Sequence, residues 1–469
     1  MIYNKLLTDQ RECVDTVRDR MRNYKNILLQ SCTGSGKTYM AMAMIEMAYH
    51  KSAGNIIFTV PRKALLDQTS DSFNGLGINH SYIASGKPFN KYSRVFIGMI
   101  PTMASRLDEL PEAKILFIDE THYGDGYLNK IINHYKARGT YIIGLSATPW
   151  RSSGKGLGCY YDNMVTGKSM RWLIDNKRLS EYRYFAGKTA ANFDQLRITA
   201  GEYNRKDASE YMEGNKAIIG DCVRDYKEKA YGKIHAVRCQ SVKHSGMTAQ
   251  AFMDNGVTAR HVDGDTPKTE LKQIIMAYAR REIKVLTFCD LLTFGFDLSQ
   301  YCNGMDVCIE SGDDMKPNKS LAEWIQFIGR FLRMKDEPAL IFDRVNNHIE
   351  HGMPCAEREW SLMDRVQGKR GGEDAQLTKT CKNCFAIYKP RSKCPECGEK
   401  STKERKIETI DGELEELDPR AVKAIEVKER KQEQGQARTL EELIAVGKKR
   451  KMKNPSYWAL NVLKSRKTK

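Results

Sequence analysis

Long apolar runs are missing from this 469-residue sequence. No stretch of about eighteen consecutive apolar residues occurs, so no segment is expected to cross a membrane as a helix. Met1 to Leu7 passes into a charged, helix-like stretch rather than an apolar one, which argues against a secretory leader. An excess of acid is absent too. Lys and Arg number 76 against 59 Asp and Glu, a net charge of +17 that points to a polyanionic partner, nucleic acid first. The 13 cysteines do not read as a disulfide framework: nine are scattered singly and four fall in two CxxC pairs, which fits a reducing, intracellular compartment. No cluster of residues makes a convincing nuclease centre.

The length allows about three domains, and 41% apolar content is enough for buried cores. Charge is unevenly spread. Residues 366–469 hold 26 Lys and Arg against 16 Asp and Glu, so +10 of the +17 lies in that last segment.

The chemistry begins at Ser31-Cys32-Thr33-Gly34-Ser35-Gly36-Lys37-Thr38. Apolar, strand-like Asn26–Gln30 precedes it and Ala/Met-rich, helix-like Tyr39–Met47 follows. Strand, glycine loop and helix start together cradle phosphates, because inward-turned N–H groups and the positive helix end face the anion. Lys37 is placed to reach the β- and γ-phosphates of ATP, and Thr38 to hold Mg²⁺. The usual pattern has Gly at position 31, where this chain has Ser; Gly34 and Gly36 carry the turn. Gln10, upstream, offers an amide donor and acceptor suited to the polar edge of adenine. It is expected just before a helix running to Met21.

Strands then alternate with helices: Asn55–Val60, Val95–Gly98, Ile115–Ile118 and Tyr141–Leu145, the pattern of a parallel sheet covered on both faces. Ligands bind such sheets at the carboxyl ends of the strands. There stand Asp119 and Glu120, the first suited to Mg²⁺ and the second to orienting and deprotonating an attacking water. Ser146–Pro149, at the next strand end, can bond the acidic motif and pass its state onward. Arg62 is a phosphate donor, and Thr102 at a helix start adds a hydroxyl and free N–H groups.

In this order, Gly34–Thr38, Asp119–His122 and Ser146–Pro149 resemble motifs I, II and III of superfamily 2 helicases. Val60–Gln68 and Ile100–Met103 resemble the family's motifs Ia and Ib, which contact nucleic acid, and Gln10 falls at its adenine-reading glutamine. After a glycine-dotted connector with a short helix over Ser169–Asn176, a second parallel α/β domain resumes at Ile234–Cys239 without a phosphate loop. Its further strands are expected at Arg260–Val262, Lys284–Phe288 and Met305–Ile309, with Thr266 capping the helix after Pro267. Gln240–His244, including Ser241, resembles motif IV; Thr293-Phe294-Gly295-Phe296-Asp297 resembles motif V with Phe for its usual Glu. Gln326–Arg333 resembles motif VI. Gln326, Arg330 and Arg333 are spaced to share one helix face, and two guanidiniums there can cross a cleft to the γ-phosphate. The family therefore implies ATP bound by Gln10, Thr33 to Thr38, Gly295 and Asp297, and nucleic-acid contacts from Arg62, Thr102, Ser241 and Thr293.

Cys381-x₂-Cys384-x₉-Cys394-x₂-Cys397 matches a closed, structural Zn²⁺ site of four thiolates. Such a cluster, with the junction from Lys155 to Asp221, is similar to DNA repair helicases of the RadD type. Residues 404–447 are expected as exposed helix. The basic run Lys448–Lys453 beside Tyr457 and Trp458 suits either phosphate contact with base stacking or a helix docked through its apolar residues.

The expected fold is α/β: two tandem RecA-like parallel-sheet domains with a cysteine zinc module and a basic tail. The expected divisions are 1–150 (ATP-binding), 151–232 (connector), 233–363 (second RecA-like domain), 364–404 (zinc module) and 405–469 (tail). The resemblance implies a DNA helicase or translocase acting on single-stranded, forked or branched DNA in a bacterial or phage-infected cytoplasm. A single-strand-binding or other replication or repair protein is an implied partner, and no membrane is. An RNA helicase, a remodeller that separates no strands and a scaffold with a vestigial ATP site stay open as alternatives.

Overall fold

The computed structural model describes residues 1–151, 153–187, 193, 196–199, 201–290, 308–364, 379–380, 387–388, 414–417, 437, 439–449, 454–456, 458–460 and 462. The chain divides into a large unit, Met1–Arg365 with Thr409–Glu416, and a smaller one, Val366–Glu408 with Leu417–Lys469.

The large unit holds two parallel-sheet α/β domains. In the first, strands β1 (Asn26–Gln30), β2 (Ile56–Val60), β3 (Ser81–Ile83), β4 (Val95–Met99), β5 (Ile115–Ile118), β6 (Tyr141–Ser146) and β7 (Asn163–Thr166) lie in the order β3-β4-β2-β5-β6-β1-β7. Every pairing in it is parallel. The alternation of side chains explains why its strands read as continuous apolar runs. Ile27, Leu29, Ile56, Phe58, Val95, Ile97 and Phe117 enter one core, while Leu28, Ile57, Phe96, Leu116 and Ile118 enter the other, on the opposite face. Helices α1 (Thr8–Arg20) and α2 (Lys37–His50) feed the first core, as does α3 (Lys63–Gly75); α4 (Ile100–Ser105) and α5 (Asp125–Lys136) feed the second. Gln10 lies inside the first turn of α1 rather than before it, because Leu7 caps the helix and Gln10 Oε1 accepts the Leu7 N–H (3.1 Å).

The stretch expected as a connector, 151–232, is shared between the domains. β7 completes the first sheet, α6 (Met170–Asp175) is capped by Ser169, and β8 (Tyr182–Gly187) joins the second sheet. After a short ribbon of β9 (Ile198–Thr199) and β10 (Glu202–Tyr203), helices α7 (Arg205–Gly214) and α8 (Lys216–Lys229) place Met212, Cys222, Val223 and Tyr226 in the second domain's core.

That domain continues with β11 (His235–Arg238), β12 (Ala259–Val262), β13 (Val285–Phe288), β14 (Ser311–Asp314) and β15 (Ala339–Asp343). Its order is β12-β13-β11-β14-β15-β8, followed by Leu414–Leu417 at the edge. The helices are α9 (Val242–Asp254), α10 (Lys268–Ala279), α11 (Leu321–Phe331) and α12 (Asn347–His351).

Three expectations are corrected here. The strand expected at Met305–Ile309 is β14, further on: Cys308 and Ile309 are not strand, and residues 305–307 lie outside the described residues. β14 is polar yet fully buried. Asp313 bonds His235 Nε2 (2.8 Å) and Arg344, Asp314 takes a two-pronged bond from Arg238 (2.9 and 2.7 Å), and a Cβ on Gly312 would collide with Ala236 O. Burial raises the Asp313 carboxyl, but Arg344 and His235 hold it below its usual range. Second, Pro267 rather than Thr266 caps α10, since the Thr266 hydroxyl is spent on Asp263. Third, 404–447 is not all helix, because Leu414–Leu417 is a strand.

In the smaller unit, β16 (Lys379–Thr380) pairs antiparallel with β17 (Ile387–Tyr388), and a helix runs Leu440–Lys449. Leu443, Val446, Ala459 and Val462 form a small core with Trp458 packed against it. Of the apolar residues expected to dock this segment, Trp458 packs within the smaller unit, Leu460 is 45% exposed, and Tyr457 and Leu463 lie outside the described residues. Among the described residues no helix is long and apolar enough to cross a membrane.

Candidate active site

The phosphate loop follows the last residue of β1 because two glycines there adopt backbone angles that other residues avoid: Gly34 at φ +82° and Gly36, the cap of α2, at +85°. Ser31 N–H donates to Ser146 O (3.0 Å), tying the loop to β6, and Ser31 Oγ donates to Ser35 Oγ (2.7 Å). Lys37 is buried with Nζ on Cys32 O (3.4 Å), while Thr38 is exposed. Gln10 Nε2 donates to Ser35 O (2.9 Å), so its amide braces the loop from α1. A Cβ on Gly36 would sit 2.5 Å from that nitrogen.

Two strands away, β5 ends in the acidic pair. Asp119 is 8% exposed, and its Oδ1 accepts the Glu120 N–H (3.0 Å). Burial first, and the Glu120 charge second, push its pKa up to about 7 against the pull of Lys37. A buried carboxylate beside a lysine and a helix start is a donor set that fits a divalent cation carrying phosphate. Glu120 has a left-handed backbone (φ +46°), a strained setting for a side chain that is not glycine.

His122 completes a relay. Its Nδ1 lies 2.8 Å from Ser146 Oγ, and that hydroxyl donates to Thr148 O (2.5 Å). The hydroxyl proton being spent, Nδ1 must carry the hydrogen, which leaves Nε2 as the acceptor. Gln326 Nε2 lies 3.4 Å from it, reaching over from α11 of the second domain. Burial favours the neutral imidazole this requires. The sequence offered His122 only as part of a motif; its role becomes legible once Ser146 and Gln326 converge on it.

α11 makes a second crossing. A Cβ on Gly329 would lie 2.5 Å from Thr33 Cγ2, so the helix backbone rests directly on the phosphate loop. Thr33 Oγ1 is buried without a hydrogen-bond partner among the described residues. Phe327, Ile328, Phe331 and Leu332 are buried as expected, but α11 ends at Phe331, so Arg330 lies in its last turn and Arg333 beyond it. Leu179, from the segment between the domains, would stand 2.8 Å from a Cβ on Gly34.

Of the nucleic-acid candidates, Arg62 caps α3 with its guanidinium 5.8 Å from the centre of the Tyr123 ring, and Thr102 lies in α4. Ser241 is committed to structure: its hydroxyl donates to Glu213 (2.6 Å) and accepts the His244 N–H that caps α9. Thr293, Gly295 and Asp297 lie outside the described residues, as do Cys381, Cys384, Cys394 and Cys397. Among the described residues, Cys222, His235 and Asp313 cluster within 4.8 Å. Both nitrogens of His235 are occupied, by Ser311 (2.9 Å) and Asp313 (2.8 Å), so this trio is core packing rather than a metal site.

Known proteins match both halves of this arrangement. Residues 4–151 match the family described as "Type III restriction enzyme, res subunit", and 217–335 match "Helicase conserved C-terminal domain". A 51.5 kDa protein of a Lactococcus phage is 32% identical over 86% of this chain and 85% of its own length. The Saccharomyces cerevisiae protein IRC3, named as an ATP-dependent helicase, is 26% identical over 69% of this chain; the match spans about half of IRC3 (48%). Among solved structures, a fragment described as an HsdR subunit of a type I restriction enzyme from Vibrio vulnificus shares the fold with a TM-score of 0.57. Its identity is 17%, over 74% of this chain and 65% of the fragment. The two sheets are thus the tandem RecA-like pair, and a cleft that brings α11 onto the phosphate loop belongs with them. The chain is a member of the superfamily 2 helicases, an enzyme that hydrolyses ATP and works on nucleic acid.

Proposed function

We propose that this chain is a DNA helicase or translocase of the RadD-like kind, active in repair, recombination or replication. The contact of Gly329 with Thr33 carries the reading: the second domain reaches the nucleotide loop itself, so closing the cleft and completing the site are one event.

ATP would lie on the loop from Thr33 to Thr38, with Lys37 turning from Cys32 O to the β- and γ-phosphates. Its adenine would face Gln10, whose Nε2 must exchange Ser35 O for the base. Thr38 and Asp119 would hold Mg²⁺, which when bound neutralises charge building on the phosphates. Glu120 orients the attacking water and accepts its proton. Arg330 and Arg333 approach the γ-phosphate from the second domain, and Gly295 and Asp297 add nucleotide contacts. Gln326 reports closure to Glu120 through His122, whose Nδ1 lies 3.4 Å from Glu120 Oε2. Hydrolysis removes the charge that the two domains share and releases the cleft, shifting a strand held by Arg62, Thr102, Ser241 and Thr293.

Zn²⁺ is proposed at Cys381, Cys384, Cys394 and Cys397. The spacing of the two CxxC pairs, Cys381-x₂-Cys384 and Cys394-x₂-Cys397, supports the reading, since four thiolates so placed suit a closed tetrahedral site. Cys381→Ser should release the zinc found in the purified protein by metal analysis.

The function is tested by measuring ATP hydrolysis with single-stranded, duplex, forked and branched DNA and with RNA. Stimulation by DNA and its loss in Lys37→Ala are expected. No stimulation by any nucleic acid would overturn the motor, and stimulation by RNA alone would overturn the choice of DNA.

A further inference from the structure

The carboxyl edge of the first sheet carries two neighbouring functions. Strands β5, β6 and β1, adjacent in the sheet, end in the acidic pair, Ser146 and the phosphate loop. Strands β4, β2 and β5, also adjacent, end in α4 with Thr102, in Arg62 and in the turn after Glu120. That second group holds two large aromatic side chains that are exposed in part. Tyr123 is 41% exposed and Tyr127, in the first turn of α5, is 52% exposed. The Arg62 guanidinium lies against the Tyr123 ring, and exposed Lys63 follows it.

We propose that Tyr123 and Tyr127 form a platform on which unpaired bases stack, with Arg62 holding the adjoining phosphate. The occupant is a single nucleic-acid strand. Phosphate donors alone serve single strands and duplexes alike, whereas a ring can stack only on a base whose face is free. An exposed phenol against a guanidinium, with a second exposed phenol four residues on, is the kind of pairing that single-strand grooves use, and the chain's charge of +17 suits that polyanion. The inference rests on the nucleic-acid motor reading and adds that this half of the track selects unpaired strand by its bases.

The platform is also joined to the chemistry. Tyr123 N–H donates to Glu120 O (2.9 Å), closing the tight turn in which Glu120 holds its left-handed backbone. A base seated on Tyr123 therefore braces the turn that aims the proposed catalytic carboxylate.

The test is binding by fluorescence anisotropy of a labelled single-stranded oligonucleotide and of an abasic strand of equal length. The two have equal phosphate charge. The wild-type protein should bind the intact strand about tenfold or more tightly than the abasic one. Tyr123→Ala with Tyr127→Ala should remove most of that difference by weakening only the intact strand, and Tyr123→Phe with Tyr127→Phe should keep it. Equal binding of intact and abasic strands by the wild type would overturn the platform, and this comparison needs no variant to fold. So would an alanine pair that preserves the full preference. Failure to bind either strand, with no stimulation of ATP hydrolysis by any nucleic acid, would instead bring down the motor reading on which the platform stands.

Discussion

A side chain at position 167 would have nowhere to go. Its Cβ would lie 2.5 Å from Ser31 Oγ and 3.0 Å from Ser31 Cβ, just after the end of β7. Ser31 stands where phosphate loops usually have glycine, and Gly167 makes the room. In return the Ser31 hydroxyl bonds Ser35 across the loop. Gly167→Ala should therefore lower the melting temperature and weaken ATP binding, while adding Ser31→Gly should restore both, because it removes the two atoms in conflict. Ser31→Gly alone loses one buried hydrogen bond, about 1 kcal/mol, and should bind ATP nearly as the parent does. A second residue-scale prediction concerns pH. His244 is fully buried in α9, and burial lowers its pKa to about 4 from the ordinary 6.5. The unfolded chain then takes up this proton before the folded one. The stability linked to the neutral ring is present above pH 6.5 and is lost as pH falls toward 4, roughly 3 kcal/mol at most. Denaturant titrations of His244→Gln should show a shallower loss over that window than the parent.

At the scale of elements, α11 decides whether the site is whole. Gly329 lets it rest on Thr33, so Gly329→Ala should hold the cleft apart while leaving the helix itself slightly favoured. Stimulated ATP hydrolysis should fall about tenfold or more, the cost of displacing a catalytic element by an ångström or so. Circular dichroism should not change, and parent-like turnover would refute the contact's importance. Strands β1, β2, β4, β5 and β6 of the first sheet were legible because both of its faces are apolar: Ile57 and Phe58 point opposite ways and are both buried; the short edge strand β3, Ser81–Ile83, was not. The acidic pair and the phosphate loop were legible because their chemistry requires those residue types at strand ends. β14 was not, because Ser311-Gly312-Asp313-Asp314 carries no apolar periodicity. Its burial depends on His235, Arg238 and Arg344, which come from β11 and the end of β15 and meet it only in the fold. The sharing of 151–232 between domains was hidden for a related reason, since β7 and β8 each need a distant partner to become strand.

On the scale of the whole molecule, the chain leaves the second domain and comes back to the first. Leu362 packs into the first domain's second core, and Gly158 N–H donates to its carbonyl (2.8 Å). Gly156 N–H donates to Asp364 Oδ1 (2.9 Å), and Trp150 Nε1 to Met363 O (3.0 Å). The rings of Trp150 and Trp360 lie 5.0 Å apart. Gly156 and Gly158 are glycines because a Cβ on either would strike this returning backbone. Trp360→Ala should loosen the return. Hydrogen exchange at the amides of Gly156 and Gly158 should accelerate while β1, β5 and β6 keep their protection; unchanged exchange there would show that the tryptophan pair does not hold the segment.

That returning segment changes what opening the cleft can mean. Two bodies joined by one peptide can splay in any direction. Here the polypeptide passes between the sheets at least twice, once through 167–181 and again through 352–364, and it is fastened at its landing point. The pair behaves less like beads on a string than like a door on two pins. Two passages leave the sheets fewer ways to part than a single linker would, so their relative motion is expected to be a hinge about the line joining the passages.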